Sequence, residues 1–339
     1  MKKNSNLLRD SLCAVILTSI SSVAFSASQT LTPPPLPSNQ SLKAGDLASQ
    51  VANTGSGLMQ QKLHDSKMPD WLRRTDVNFG FGSDLKPAYE INTIQPLFSG
   101  VSNTWFAQGH IIHRNNDETY NLGTGWRYLT KSKTWMPGLN AFFDMSRQEK
   151  HHRLGLGGEL FGKYITLRAN YYCALTDKKL VNIDRVAFIN TYQQVLGGYD
   201  YSIEAPVPLL PWISFTAEGY TWKGKELNNI RGAAFFFRAS PLANLQVELG
   251  LDSSSGNVTS NKYFTNLTWY FGAPDYIEYA ATDGLTSHTE FTARNVEAHR
   301  LEQVRRHDEV VVETTTTSTA PATQVTSFGN GAVFIGRGA

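Results

Sequence analysis

Between Val77 and Phe271 apolar and polar residues alternate one by one, in short runs with no helical stretch between them. In "YNLGTGWRY" (120–128), Tyr120, Leu122, Thr124, Trp126 and Tyr128 share one parity, and Asn121, Gly123, Gly125 and Arg127 the other. A two-residue period means a β-strand, because successive side chains point to opposite faces. "VNFGFG" (77–82) repeats the pattern, as do "AYEIN" with "TIQPLF" (88–98), bent near Pro96, and "WFAQGHIIHR" (105–114). "WMPGLNAFFD", "RLGLGGEL", "ITLRANYY", "VLGGYDYSIEA", "WISFTAEGYTW", "AAFFFRA", "LQVELGLD" and "YFTNLTWYF" continue it to residue 271. The pattern predicts about twelve consecutive strands, an even number, as single-chain bacterial barrels have.

Two all-β architectures alternate in this way. In a soluble sandwich the polar face meets bulk water and favours Lys, Glu and Thr. Here the polar parity carries Gly, Asn and isolated Arg, Asp and Glu, while the apolar parity carries aromatics near strand ends. Glycine makes room where side chains from several strands converge, isolated charges of both signs can pair across a lumen, and aromatics suit a membrane interface. In hydrocarbon every backbone N–H and C=O must be paired, which strands achieve only by closing. The expected fold is all-β: a twelve-stranded antiparallel transmembrane outer-membrane barrel over 75–272. Connections "TKSK" (130–133), "FGK" (161–163) and "SPLAN" (240–244) are short; those at 176–192, 223–229 and 253–261 are longer. Short turns belong to the periplasm and long loops to the outside, so both ends of the barrel start in the periplasm.

The N-terminus adds an address. Lys2, Lys3 and Arg9 precede an apolar core from Leu12 to Val23, and Ala24-Phe25-Ser26 offers a cleavage site before Ala27, despite Asp10. Cleavage of 1–26 removes Cys13 and leaves Cys173 alone, which excludes a disulfide-stapled scaffold. Residues 27–74 read as a periplasmic linker with a proline run (Pro33–Pro35) and a short helix marked by Leu47, Val51 and Leu58. The 41% hydrophobic content is ordinary, whereas 12% aromatics and 27 glycines favour β structure. A net charge of +2 gives no reason to expect nucleic acid.

After Gly272 come "RNVEAHRLEQVRRHDEVVVE" (294–313) and "TTTTSTAPATQ". The low-complexity stretch cannot bury enough apolar surface to fold alone, so 314–339 reads as a disordered tail. By strand parity the chain emerges here in the periplasm and reaches the surface only by returning through the lumen. Residues 70–313 resemble the translocator of intimin and invasin, the inverse autotransporters of type Ve secretion. The blocks that carry the resemblance are "DWLRRTDVNFGFG", "FAQGHIIHR", "YNLGTGWRYL", "WMPGLNAFFDMS", "HHRLGLGGELFGKYITLRANYY" and "RGAAFFFRASPLANL", in that order. "RLEQVRRHDEVVVE" looks like the family's linker, so the resemblance implies that 273–313 threads the pore as an extended segment. It also implies insertion by the BAM machinery and export of a C-terminal passenger as a hairpin, usually an adhesive one with immunoglobulin-like and lectin-like domains. No peptidoglycan-binding module precedes the barrel here, and the stretch after Glu313 is too short for an immunoglobulin-like domain.

Candidate chemistry is sparse. His110 and His113 stand three apart on a strand and so face opposite ways, as do the adjacent His151 and His152; neither pair can hold one ion. Asp144, His151 and His152 fall near one extracellular turn, but nothing distinguishes them from solvated loop residues and no Ser-His-Asp order, phosphate loop or cysteine site appears, so no catalytic role is expected and no cofactor is called for. The expected lumen carries Arg127, Asp144, Arg153, Glu159, Arg168, Asp200, Glu204, Glu218, Arg238 and Glu248, with Asp252 also on the wall, so acids outnumber bases. The linker supplies Arg294, Arg300, Arg305 and Arg306. Two readings stay open: the acidic excess holds the basic linker as a plug, or the wall charges pair among themselves.

Expected partners are outer-membrane lipids, the BAM machinery by resemblance, and an unidentified host-surface receptor. The expected function is an outer-membrane anchor and translocator that displays its own C-terminal segment, with a role in adhesion. A barrel-only porin-like or structural protein that has lost its passenger, and a piece of a larger adhesin, are the alternatives.

Overall fold

The computed structural model describes residues 68–82, 87–114, 117–256, 260–284, 286–319 and 332–334. The chain divides into two units, residues 1–69 and 70–339, and every described strand belongs to the second. The helix expected near 47–58 lies outside the described residues, as does the segment ending at Ser26.

After a single helical turn, α1 (Asp70–Arg73), come β1 (Thr75–Gly82), β2 (Pro87–Ser99), β3 (Asn103–Arg114), β4 (Asp117–Tyr128), β5 (Trp135–Ser146), β6 (His152–Gly162) and β7 (Thr166–Ala174). Then follow β8 (Lys179–Asp184), β9 (Ile189–Val195), β10 (Gly197–Val207), β11 (Leu210–Lys223), β12 (Ile230–Leu242), β13 (Leu245–Ser255) and β14 (Ser260–Tyr270). The C-terminal region adds β15 (Val312–Ser318) and β16 (Ala332–Phe334).

Twelve of these strands form one closed antiparallel barrel: β1 to β7 and β10 to β14, each paired to its neighbour in sequence, with β7 against β10 and β14 returning to β1. The closing seam runs from Asp76 opposite Tyr270 to Gly82 opposite Phe264. Every strand therefore has two partners and the ring has no bare edge, which is what a strand wall in hydrocarbon requires. Near Pro96 the β2–β3 register slips by one residue, a bulge at the bend expected there. Among the described residues no helix is long and apolar enough to cross a membrane.

Parity decides which way each side chain looks. Leu122, Leu139, Tyr201, Phe237 and Leu249 point outward and stay more than half exposed, a surface built for hydrocarbon. The opposite parity holds the buried charges, but it is not purely polar. Phe106, Phe142, Phe161, Tyr172, Tyr220 and Trp222 also point inward. The glycines of "YNLGTGWRY" explain how they fit. A Cβ at Gly123 would run into the ring of Phe142, and one at Gly125 into the ring of Phe106. The missing side chains on β4 are the space that its neighbours' rings occupy.

Two features differ from the sequence-based expectation. The 176–192 connection is not plain loop: β8 and β9 form a hairpin that leaves the wall. The low-complexity tail is not wholly without structure either. β15 pairs with β9, and β16 with β15, giving a four-stranded sheet in the order β16-β15-β9-β8 beside the barrel's long-loop end. Threonines poor in apolar surface cannot make a core, but they can join a ladder that another segment has begun.

Candidate functional site

The lumen is occupied by the chain itself. After β14 the backbone turns back at the short-turn end, makes a 3-10 turn over Val296–Leu301, and runs as irregular extended chain to β15 at the other end. Extended chain has no ladder of its own, so its backbone groups need partners from the wall. They find them one after another. Arg127 Nη1 donates to the carbonyls of His299, Arg300 and Glu302 at 3.2, 3.0 and 2.6 Å. Gln108 Oε1 accepts from the Val304 N–H at 2.9 Å, and Asn170 Nδ2 donates to the Arg305 carbonyl at 3.3 Å. Higher up, Tyr172 Oη accepts from the His307 N–H at 2.8 Å, Arg153 donates to its carbonyl at 2.5 Å, and Asn121 donates to the Asp308 carbonyl at 2.7 Å.

The charges answer both readings of the lumen. Wall residues pair among themselves: Arg127 with Glu159 at 2.9 Å, Arg153 with Asp144 at 2.8 Å, Arg168 with Glu204 at 2.8 Å, and Arg238 with Glu248 at 2.5 Å and Glu204 at 3.3 Å. The same acids also reach the linker. Asp144, fully buried, holds Arg306 as well as Arg153, and Glu248 holds Arg305 at 3.1 Å. Glu218 meets His307 at 2.8 Å, Asp200 accepts from Asn170 and Tyr172, and Asp252 accepts from Tyr220 at 2.7 Å.

The four linker arginines do not act alike. Arg305 and Arg306 face the acidic wall. Arg294 stays at the mouth, 3.7 Å from Glu204 and bonded to Thr166 Oγ1 at 2.9 Å. Arg300 is not in the acidic lumen at all: it clamps the Gly100 and Val101 carbonyls of the β2–β3 turn and pairs with Glu297.

The linker's own acids, which a search for basic residues passes over, are as firmly held. Glu302 pairs with Arg168 at 2.7 Å, Asp308 with His110 at 3.2 Å, and Glu309 with Arg114 at 2.6 Å. His110 and His113 do face opposite ways: His110 lies in the lumen between Glu90 and Asp308, whereas His113 is near Glu118 on the outer face. His151 meets Gln193 of β9 at 3.2 Å rather than Asp144. Among the described residues no group of three His, Cys, Asp or Glu is placed to hold a metal ion.

Three apolar collars grip the linker at successive heights. Val296 sits among Leu129, Met136 and Phe161; Val304 among Ile94, Phe106 and Phe142; Val311 among Tyr172, Leu196, Tyr220, Trp222 and Ile230. Guanidinium groups lie over the same rings, Arg127 between Phe106 and Phe161 at 4.7 and 4.9 Å and Arg306 over Phe142 at 4.4 Å. The signal for the collars is in the sequence, as aromatic residues on the glycine-rich parity. Cavities of about 70 and 10 Å³ remain beside the linker, one by Glu204, Arg238 and Arg305 and the other by Asn92, Glu248 and Gln303. Larger ones of about 240 and 260 Å³ lie towards the two ends.

A twelve-stranded wall closed around its own returning chain is matched by one family model, the inverse autotransporter β-domain, over residues 24–308. The chain belongs to that family. It is 33% identical over 180 residues to the inverse autotransporter adhesin YeeJ of Escherichia coli K12, a match covering 50% of this chain and 7% of that protein. It is 28% identical over 204 residues to a putative attaching and effacing protein homolog of the same strain, covering 54% and 66%. It is 25% identical over 185 residues to the invasin of Yersinia enterocolitica, covering 52% and 21%. The match thus spans less than two thirds of each relative. Among solved structures, a chain from a study of the in-meso crystallization of membrane proteins superposes with a TM-score of 0.56 at 17% identity, covering 71% of this chain and 99% of that one. That likeness concerns the fold. The inverse autotransporter β-domain is an outer-membrane barrel, and its placement here is the outer membrane.

Proposed function

We propose that this protein anchors and exports its own C-terminal segment, carrying it through the outer membrane and holding it at the cell surface. The observation that supports this most is the path of the chain. It leaves the wall at the short-turn end, crosses the lumen from Val296 to Val311, and forms strands at the long-loop end. With short turns in the periplasm and long loops outside, that path runs outward. In this reading residues 1–26 direct secretion and are removed, the BAM machinery inserts the barrel among outer-membrane lipids, and the work is mechanical rather than enzymatic. Adhesion to host cells or other surfaces enters through the likeness to a named adhesin and an invasin, with the displayed segment as the part that makes contact.

Surface labelling tests the reading against a porin-like barrel without a passenger. An epitope placed after Ala339 should be accessible to antibody on intact cells and removable by added protease. An epitope reached only after the outer membrane is permeabilised overturns export.

A further inference from the structure

At the long-loop end, the connection between β7 and β10 folds into strands of its own, and where those strands lie is informative. One edge of β9 is covered by β8; the other stands over the point where the linker leaves the lumen. The handover is continuous. The Val311 carbonyl, the last group inside the upper collar, accepts from the Leu196 N–H at 2.9 Å. Seven register pairs come next, from Val312 opposite Val195 to Ser318 opposite Ile189, and the Thr319 N–H then reaches the Phe188 carbonyl at 2.7 Å. β16 adds to the far side of β15 in turn.

A second contact sets the register. Glu313, 1% exposed, sends its carboxylate into the β11–β12 loop, where the backbone N–H groups of Lys225, Glu226 and Leu227 converge on it at 3.1, 2.9 and 3.4 Å. Successive amides turned to one point make an anion-holding concavity. That loop is tied to the base of the hairpin by Lys178, which bonds Glu226 at 2.7 Å and lies 4.8 Å from the Tyr192 ring. Acceptor edge and amide concavity therefore form one unit.

We propose that the β9 edge and the 225–227 amides are a strand-acceptor site at the pore exit, which captures the emerging segment and makes its outward movement one-way. Its ligand is an extended peptide with a carboxylate near its N-terminal end; beyond that carboxylate main-chain hydrogen bonds provide most of the attachment, with the Thr315 hydroxyl bonding Glu226 of the same loop. The threonine run suits such a site: it pairs well and competes poorly as a core of its own. Backsliding by one residue turns every side chain of the strand to the other face and withdraws Glu313 from its amides. By two residues, facing is restored but the carboxylate still has no amides.

This inference rests on the export reading, and one experiment separates the two. The full chain with the epitope after Ala339 is followed in intact cells from induction, alongside the double variant Thr315→Pro/Thr317→Pro and the single variant Glu313→Gln. Barrel formation is scored separately by the gel shift between heated and unheated samples. Proline cannot donate to a ladder, so the double variant should expose the epitope about fivefold more slowly while the barrel forms at the normal rate. Glu313→Gln, which keeps the shape but loses the charge, should slow exposure about twofold. Equal exposure times in all three chains overturn the acceptor site and leave export standing. An epitope that never appears on the unaltered chain overturns both.

Discussion

Residues 302–311 and residues 312–318 are consecutive, and the barrel holds them by opposite means. Inside the wall the chain is fixed by named side chains: arginines to its carbonyls, acids to its arginines, rings around its valines. Outside, it is fixed mainly by a backbone ladder against β9, anchored at one carboxylate. The first kind of attachment reads sequence residue by residue. The second accepts almost any residue except proline. A wall closed around one fixed segment depends on the former, whereas a strand laid on an open sheet edge needs only the latter.

Removing the inner segment should have the largest effect. Deleting residues 294–339 is expected to turn a closed baseline into a steady open conductance in single-channel recordings. An unchanged closed state would mean that the wall charges alone block the lumen. Next comes Asp144→Ala, which leaves Arg153 and Arg306 buried with a shared partner gone. Breaking a buried ion pair on one side costs about 3–5 kcal/mol, seen as a lower temperature for loss of the compact form on gels. Asp144→Asn, which still accepts hydrogen bonds, should lose less.

Arg127→Lys keeps a charge but not the fork that serves three linker carbonyls and Glu159. A loss of about 1–3 kcal/mol in the same assay is expected. The outer strand should behave otherwise: Thr316→Ala, at an exposed position of β15, should change stability by no more than about 0.5 kcal/mol. Equal sensitivity at Thr316 and Arg127 would erase the contrast between the two regions.

The smallest effect concerns pH. The hydrogen bond from Lys178 lowers the Glu226 carboxyl below its ordinary 4.5. A carboxylate lowered in the folded state contributes fully above the unfolded value and loses that contribution as pH falls through its folded one. Protease nicking of the 223–229 loop should therefore rise slightly as pH falls below 4.5, and Lys178→Ala should weaken the dependence, leaving the part due to the Thr315 hydrogen bond. Salt should weaken the pair, because it is exposed.

How much of this the chain announces differs between wall and contents. The strands were legible because a two-residue period leaves little freedom: a shift by one residue in "YNLGTGWRY" would put Trp126 in the lumen and Arg127 in lipid. Parity likewise brings Arg127, Glu159, Arg168, Glu204 and Arg238 to one face. The linker contacts were not legible, since which wall residue meets Val304 or Arg306 depends on how far the chain has advanced through the ring, and no local pattern encodes that offset. Arg300 illustrates the gap: it looks like its neighbours Arg305 and Arg306, yet a few residues' displacement puts it at the rim, on the β2–β3 turn. The β8–β9 hairpin is not legible, because "KLVNID" and "INTYQQV" alternate weakly and sit in a connection whose length reads as a loop.

Arg300 has a mechanical consequence. It holds the carbonyls of the β2–β3 turn, at the opposite end of the barrel from β9 and β15. A pull on β15 is transmitted down the lumen through the wall contacts of residues 302–311 and ends on these guanidinium bonds. Load is thus shared along the chain by many separate contacts, so that no one of them has to carry it alone. A tether built this way bears tension without any covalent lock.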